Sequence, residues 1–324
     1  MKYREYQRAL GLARKCGYKI GVNLNATYEK LQSEYIKHFN ALTVTFDYVN
    51  SEVIIEDEKL SNSTDDAEVE MVDTRETSNK EATNMAKKKI NGVVLYEGLS
   101  AIDNTTPIVV IATGLTNKTA NPKTGNMIQT WILIQDEFPT EAINNGNDSA
   151  ICGNCPHRKY DGKRSCYVNP MSFSSVYKAY RKGNYPQYNP ELHSKYFQGR
   201  KIRYGSYGDP VNIPTRILHH LSNYTVGHTG YTHQWQDKRF TRYQQYFQAS
   251  VDSLMEFLEA KDAGWGTFRV KPVGESTNTD GEVTCMGGVK TNCALCKLCG
   301  GTESTGRQNH VSIIAHGSGA KYVS

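Results

Sequence analysis

Seven of the eight cysteines fall into two short clusters whose spacing is that of metal sites. The first cluster is Cys152-x2-Cys155-x10-Cys166, with His157 two residues after its second cysteine. The second is Cys285-x7-Cys293-x2-Cys296-x2-Cys299. Thiolates two residues apart on a turn converge on one soft ion or cluster. The eighth cysteine, Cys16, stands alone in a helical pattern and reads as a small buried residue. The opening "MKYREYQRAL" is charged and has no apolar leader, so the chain is expected in the cytoplasm. Structural disulfides are not expected in that reducing compartment. No apolar run approaches the length of a membrane span, so no membrane partner is expected either.

Zinc and iron–sulfur chemistry make different demands on these thiols. Zinc takes four N or S ligands, and Cys152/Cys155 with Cys296/Cys299 supply two such pairs. Three cysteines in a Cys-x2-Cys-x2-Cys run crowd a tetrahedron but suit a [4Fe–4S] cube, whose irons sit at separate corners. Cys285 is then the natural fourth ligand, and Gly300 and Gly301 stand where bacterial ferredoxins carry a further residue pattern ending in proline. The first cluster offers three thiolates, which leaves a position for His157, a small molecule or Cys285. One [4Fe–4S] cluster, with room for a second, is the leading expectation, and zinc is the alternative.

Other polar residues are candidates for chemistry or for structure. His228 and His233, in "HTGYTHQW", suit ligation or acid–base work, or hydrogen bonding near a strand end. Asp209, before Pro210, is either functional or a cap on the turn that follows. Asp252, before "SLMEFLE", sits where a helix N-cap belongs. His316, in "AHGSG", has glycine neighbours that permit close approach to a ligand and equally make an ordinary turn. The stretch "RKGNYPQYNPELHSKYFQGRKIRYG" mixes Arg, Lys and Tyr, as phosphate contacts and base stacking require and as solvated basic loops also do. No phosphate-cradling loop, nucleophile elbow or dinucleotide fingerprint is present.

The elements that must position these residues are legible in the hydropathy pattern. Residues 1–48 read as a small helical module, two helices joined by the extended "KIGVNLN", which resembles the helix–extended–helix modules of the SAP and LEM type. Residues 49–89 read as an acidic disordered linker, because positions 51–76 hold ten acids against Lys59 and Arg75 and no aromatic residue. Residues 90–324 read as an α/β domain. It opens on a β-hairpin turning at "NPKTGN" and continues with strands alternating with helices, which predicts parallel pairing and a partial or full β/α barrel. In such folds chemistry sits at the carboxyl ends of the strands, where "GSYGDP", "GYTHQW", "ASVDS" and "AHGSG" fall. The formal charge is +5 overall, so with the acids concentrated in the linker the rest of the chain is basic, which suits a polyanion such as nucleic acid.

The segment from about 92 to 324 resembles a group of uncharacterised bacteriophage-encoded cysteine-cluster proteins. The resemblance rests on "TGNMIQTWIL", "ICGNCPHR", "CYVNP", "IRYGSYGDPVNIP", "TGYTHQW", "ASVDS", "GWGTFRV", "NCALCKLCGG" and "AHGSGAKYV". More distantly the layout is similar to the radical S-adenosylmethionine superfamily, although its usual Cys-x3-Cys-x2-Cys spacing is here Cys-x2-Cys-x10-Cys. That resemblance implies that Cys152, Cys155 and Cys166 hold a [4Fe–4S] cluster whose open iron binds S-adenosylmethionine. It also implies that Gly205, Gly208 and Asp209 border the cofactor, that Asp252 lies at the barrel mouth, and that "CALCKLC" parallels an auxiliary cluster. A redox or radical reaction on a nucleic acid or nucleotide follows as an expectation, with Asp209, His233, Asp252 and His316 as candidate catalytic residues. The alternatives are a zinc-stabilised nucleic-acid-binding protein and a protein that engages a host factor in the host cytoplasm.

Overall fold

The computed structural model describes residues 43–47, 52–56, 90–117, 121–275, 277–296 and 298–323. The chain divides into two units, Met1–Ser78 and Asn79–Ser324. In the first, strand β1 (Thr43–Asp47) pairs antiparallel with β2 (Glu52–Glu56), from Thr43 opposite Glu56 to Asp47 opposite Glu52. The junction expected at 48/49 therefore falls between two paired strands. Val53, Ile54 and Ile55 form a β-branched run inside the acidic stretch and favour extension there. The two expected N-terminal helices, Cys16 and residues 57–89 of the expected linker lie outside the described residues.

The second unit opens with three antiparallel strands: β3 (Gly92–Leu99), β4 (Pro107–Thr113) and β5 (Ile128–Ile134). The β4–β5 connection carries the expected hairpin turn. The apolar run "IVVIA" of β4 is buried at every position, as a strand covered on both faces requires. Helices α1 (Pro139–Asn145) and α2 (Ser149–Cys152) follow, then a small hairpin of β6 (Lys159–Tyr160) and β7 (Lys163–Arg164). Helix α3 (Pro170–Arg181) starts at Asn169, whose side chain accepts the Met171 N–H, and buries Phe173, Val176 and Tyr177. The short α4 (Pro190–His193) leads into β8 (Lys201–Tyr207), which pairs parallel to β5.

From β8 onward strands and helices alternate. Helix α5 (Thr215–Ser222) precedes β9 (Gly227–Thr229), parallel to β8. One residue, Gly230, separates β9 from β10 (Tyr231–Thr232), so one stretch of backbone serves two sheets. A Cβ at Gly230 would lie 2.5 Å from the Phe247 ring, which explains glycine at this passage. The second sheet has the order β10, β11 (Gln248–Val251), β12 (Thr267–Lys271), β14 (His310–Ile314), β13 (Glu282–Thr284), all parallel. Helix α6 (Leu254–Asp262) joins β11 to β12, and the short α7 (Thr302–Thr305) precedes β14.

This is the mixed α/β architecture with parallel strands that the alternating pattern implies. Closure into a full barrel is not found: among the described residues the outermost strands, β3 and β13, do not pair with each other. Neither is any helix among them long and apolar enough to cross a membrane.

Candidate metal centre

All seven clustered cysteines are free thiols, and all seven line one cavity of about 170 Å³. A single water needs only about 10–15 Å³ of such space, so this is room for a group of several atoms. The cavity also touches the residues that follow β8, β10 and β14, including Gly208, Asp209, His233 and His316. It thus sits at the carboxyl ends of parallel strands, where this architecture places its chemistry.

The first thiol group is built by the end of α2, the loop after it and the residue that returns beyond the β6–β7 hairpin. Arg158 clamps that loop: its Nε donates to Asp148 Oδ1 at 2.9 Å, its Nη2 to Gly146 O at 2.6 Å and its Nη1 to Gly153 O at 3.1 Å. The Cys166 N–H donates to His157 O at 2.9 Å, which brings the third cysteine back beside the first two. Burial raises the Cys152 thiol well above its ordinary range, and Cys155, Asp148, Cys166 and Asp209 add to the effect. Burial likewise raises Cys166, opposed by Arg164.

The second thiol group is held by four different elements. The Cys285 N–H donates to Ser312 O of β14 at 2.8 Å, and the Cys293 N–H to Lys123 O at 2.8 Å. Lys201 Nζ of β8 donates to Cys296 O at 2.9 Å, and the Gly230 N–H to Cys299 O at 3.3 Å. Gly301 permits this docking: a Cβ there would lie 2.2 Å from Gln245 O. Burial pushes the Cys299 thiol up to about 12 despite a hydrogen bond from Tyr231, and Cys285, Cys293 and Cys296 push it the same way. Arg203, on β8, lines the cavity beside this group and hydrogen-bonds the Tyr167 hydroxyl.

Zinc sets a definite spacing for its sulfurs. Four thiolates on one zinc lie about 3.8 Å apart, because each Zn–S bond is about 2.3 Å in a tetrahedron. Among the described residues no three cysteine sulfurs lie within 4.8 Å of one another. Cys285, Cys293 and Cys296 lie close enough to Cys299 to raise its thiol.

Among the described residues, the one set of three potential ligand atoms that does close within 4.8 Å is His157, His233 and Asp252. His157 Nε2 lies 2.8 Å from Asp252 Oδ1, and His233 Nε2 lies 3.1 Å from Asp252 Oδ2. Cys155 Sγ is 4.0 Å from His233 Nε2. Burial disfavours charge on His233, but Cys155 and Asp252 outweigh it and raise the imidazole well above its ordinary range. The Asp252 carboxyl is held low for the complementary reason, burial being outweighed by the two imidazoles.

Each remaining candidate has a definite place. Asp252 does not cap α6: Ser253 does, accepting the Glu256 N–H at 3.1 Å, so Asp252 turns its carboxylate to the histidines. Asp209 is engaged in structure, accepting from Val211 N–H at 3.2 Å, Thr232 Oγ1 at 3.0 Å and His233 N–H at 3.0 Å. Gly205 and Gly208 border the cavity and have positive φ. A Cβ on Gly208 would lie 2.7 Å from Ile132 Cβ, so the strand exit itself requires glycine there. His228 is buried, and its Nε2 donates to Tyr246 O at 2.7 Å. His316 accepts from Lys123 Nζ at 2.7 Å at the cavity edge.

Sequence reasoning missed Arg203, Lys123, Tyr167 and Tyr231, all of which line the cavity. The available signal was Arg203 itself, a charge in mid-strand between Ile202 and Tyr204. The chain matches no family model, no curated protein and no solved structure.

Proposed function

We propose that this protein is an iron–sulfur protein with redox activity, its cluster held by Cys285, Cys293, Cys296 and Cys299. The observation that carries this reading is the convergence of all seven thiols on one cavity at the carboxyl ends of parallel strands. The Cys-x2-Cys-x2-Cys run, which crowds a tetrahedron and suits the separate corners of an iron–sulfur cube, supports iron–sulfur over zinc. When bound, such a cluster supplies one-electron chemistry.

The chain's own groups define what meets it there. Arg203 is 7% exposed as a residue, and its charge offsets that of thiolates at the second group. Lys123, whose Nζ lies 5.8 Å from the Tyr167 ring centroid, adds a second cation at the same cavity. Two cations and a tyrosine suit an anionic, aromatic substrate, and we take a nucleotide or nucleic acid as its class. The cavity at the carboxyl ends of parallel strands in both sheets supports a substrate bound there.

Protein purified without oxygen should be brown and contain iron with acid-labile sulfide. Colourless protein with stoichiometric zinc would overturn the reading. A second reading, a cluster on Cys152, Cys155 and Cys166 with an open iron for S-adenosylmethionine, is favoured by the three thiols sharing the connection between the parallel strands β5 and β8. Its test is separate: the reduced protein should cleave S-adenosylmethionine, and no cleavage with iron intact would remove it.

A further inference from the structure

The His157–Asp252–His233 group is built from three separate parts of the chain. His157 comes from the loop after α2, His233 follows β10, and Asp252 follows β11. Each is fixed from behind. His157 Nδ1 is 2.8 Å from Ser165 Oγ, the His233 N–H donates to Asp209 Oδ2 at 3.0 Å, and the Asp252 N–H donates to Glu256 Oε2 at 2.7 Å. For His157 the partner sits on the far ring nitrogen, which is what turns a metal-ligating imidazole inward.

The arrangement is not a nucleophile–base–acid relay. Such a relay uses both ring nitrogens, one toward the thiol and the other toward the carboxylate. Here the same atom, His233 Nε2, faces both Cys155 Sγ at 4.0 Å and Asp252 Oδ2 at 3.1 Å. His157 Nε2 and Asp252 Oδ1 are 2.8 Å apart, and both atoms are buried. One ligand atom from each of the three residues lies within 4.8 Å of the other two, close enough to share one ion.

We propose that His157, His233 and Asp252 bind one divalent transition-metal ion, with the Cys155 thiol beside its open side. Two imidazoles and a carboxylate select zinc or ferrous iron over calcium or magnesium. Three protein ligands are the number that leaves a position for a further ligand. The proposal takes the four-thiol iron–sulfur reading as its background, but it does not need that reading to be right.

The test uses the full chain, purified without oxygen and treated with chelator, then titrated with Co2+. The wild type should take up one equivalent with visible ligand-field bands. H233Q and D252N should each weaken Co2+ binding at least tenfold and leave iron per chain unchanged. The double variant C293S/C296S should lose iron and keep the cobalt site. S165A, which leaves all three ligands in place, should weaken the site less than either ligand variant. Unchanged cobalt affinity in H233Q and D252N would overturn the proposal. Loss of iron in those two variants, folded by circular dichroism, would overturn it too, because it would assign this end to an iron–sulfur cluster. A wild type without iron but with the cobalt site intact would sink the four-thiol reading and leave this one standing.

Discussion

Buried thiols resist ionisation, and that governs how a metal can enter. Cys299, pushed up to about 12, is protonated at neutral pH, so a metal must displace its proton. Loading should therefore release protons and weaken as pH falls, and a pH-independent loading curve would contradict this. Cys296→Ser should abolish most iron binding, measured as iron per chain, because its backbone is already held by Lys201 and only the sulfur is lost. His228 makes a different prediction. Burial lowers its imidazole to about 4, opposed by the Tyr246 carbonyl, so the folded state keeps it neutral while the unfolded chain takes up a proton below about 6.5. Stability should thus be full above about 6.5 and fall as pH drops toward 4, by up to about 3 kcal/mol from this group. Denaturation at stepped pH should show H228Q flattening that slope.

The elements hold the site through a few buried polar contacts. Arg269 on β12 donates Nε and Nη2 to the two carboxylate oxygens of Glu282, each at 2.8 Å, and Nη1 to Glu275 at 2.7 Å. Lys271 Nζ donates to Thr277 O and Asn278 Oδ1. These contacts pin β13, which delivers Cys285. Glu282→Ala leaves a buried guanidinium short of its partner and should cost about 3–5 kcal/mol in chemical denaturation, with iron content falling alongside. Gly208→Ala meets Ile132 at a positive φ and should cost about 1–3 kcal/mol. Much of this level was legible in the sequence. Strands such as "IVVIA" and the helices in "SFSSVYKAYRKG" and "SLMEFLEAKDAG" announce themselves by local pattern. The cap assignment moved by one residue, from Asp252 to Ser253, and that single position separates a structural aspartate from a candidate ligand. No local pattern marks β13, three residues long and specified by a distant arginine.

At the scale of the whole molecule, the meeting of the two cysteine clusters was beyond local reading. Cys166 and Cys285 are separated by more than a hundred residues, and only the parallel strand order brings their loops to one end of the sheets. The union of His157, His233 and Asp252 has the same origin. Each residue had been visible as a candidate alone, and nothing in their spacing tied them together. The basic body of the chain predicts that any nucleic-acid binding weakens steeply with salt, and a flat dependence would remove the polyanion as partner. The central claim is that four thiols from the second cluster hold iron. The most direct measurement is an anomalous-difference map collected at the iron edge from crystals grown without oxygen. It should show a strong iron signal enclosed by Cys285, Cys293, Cys296 and Cys299. A zinc-edge signal there, or no metal among those four sulfurs, would contradict the account.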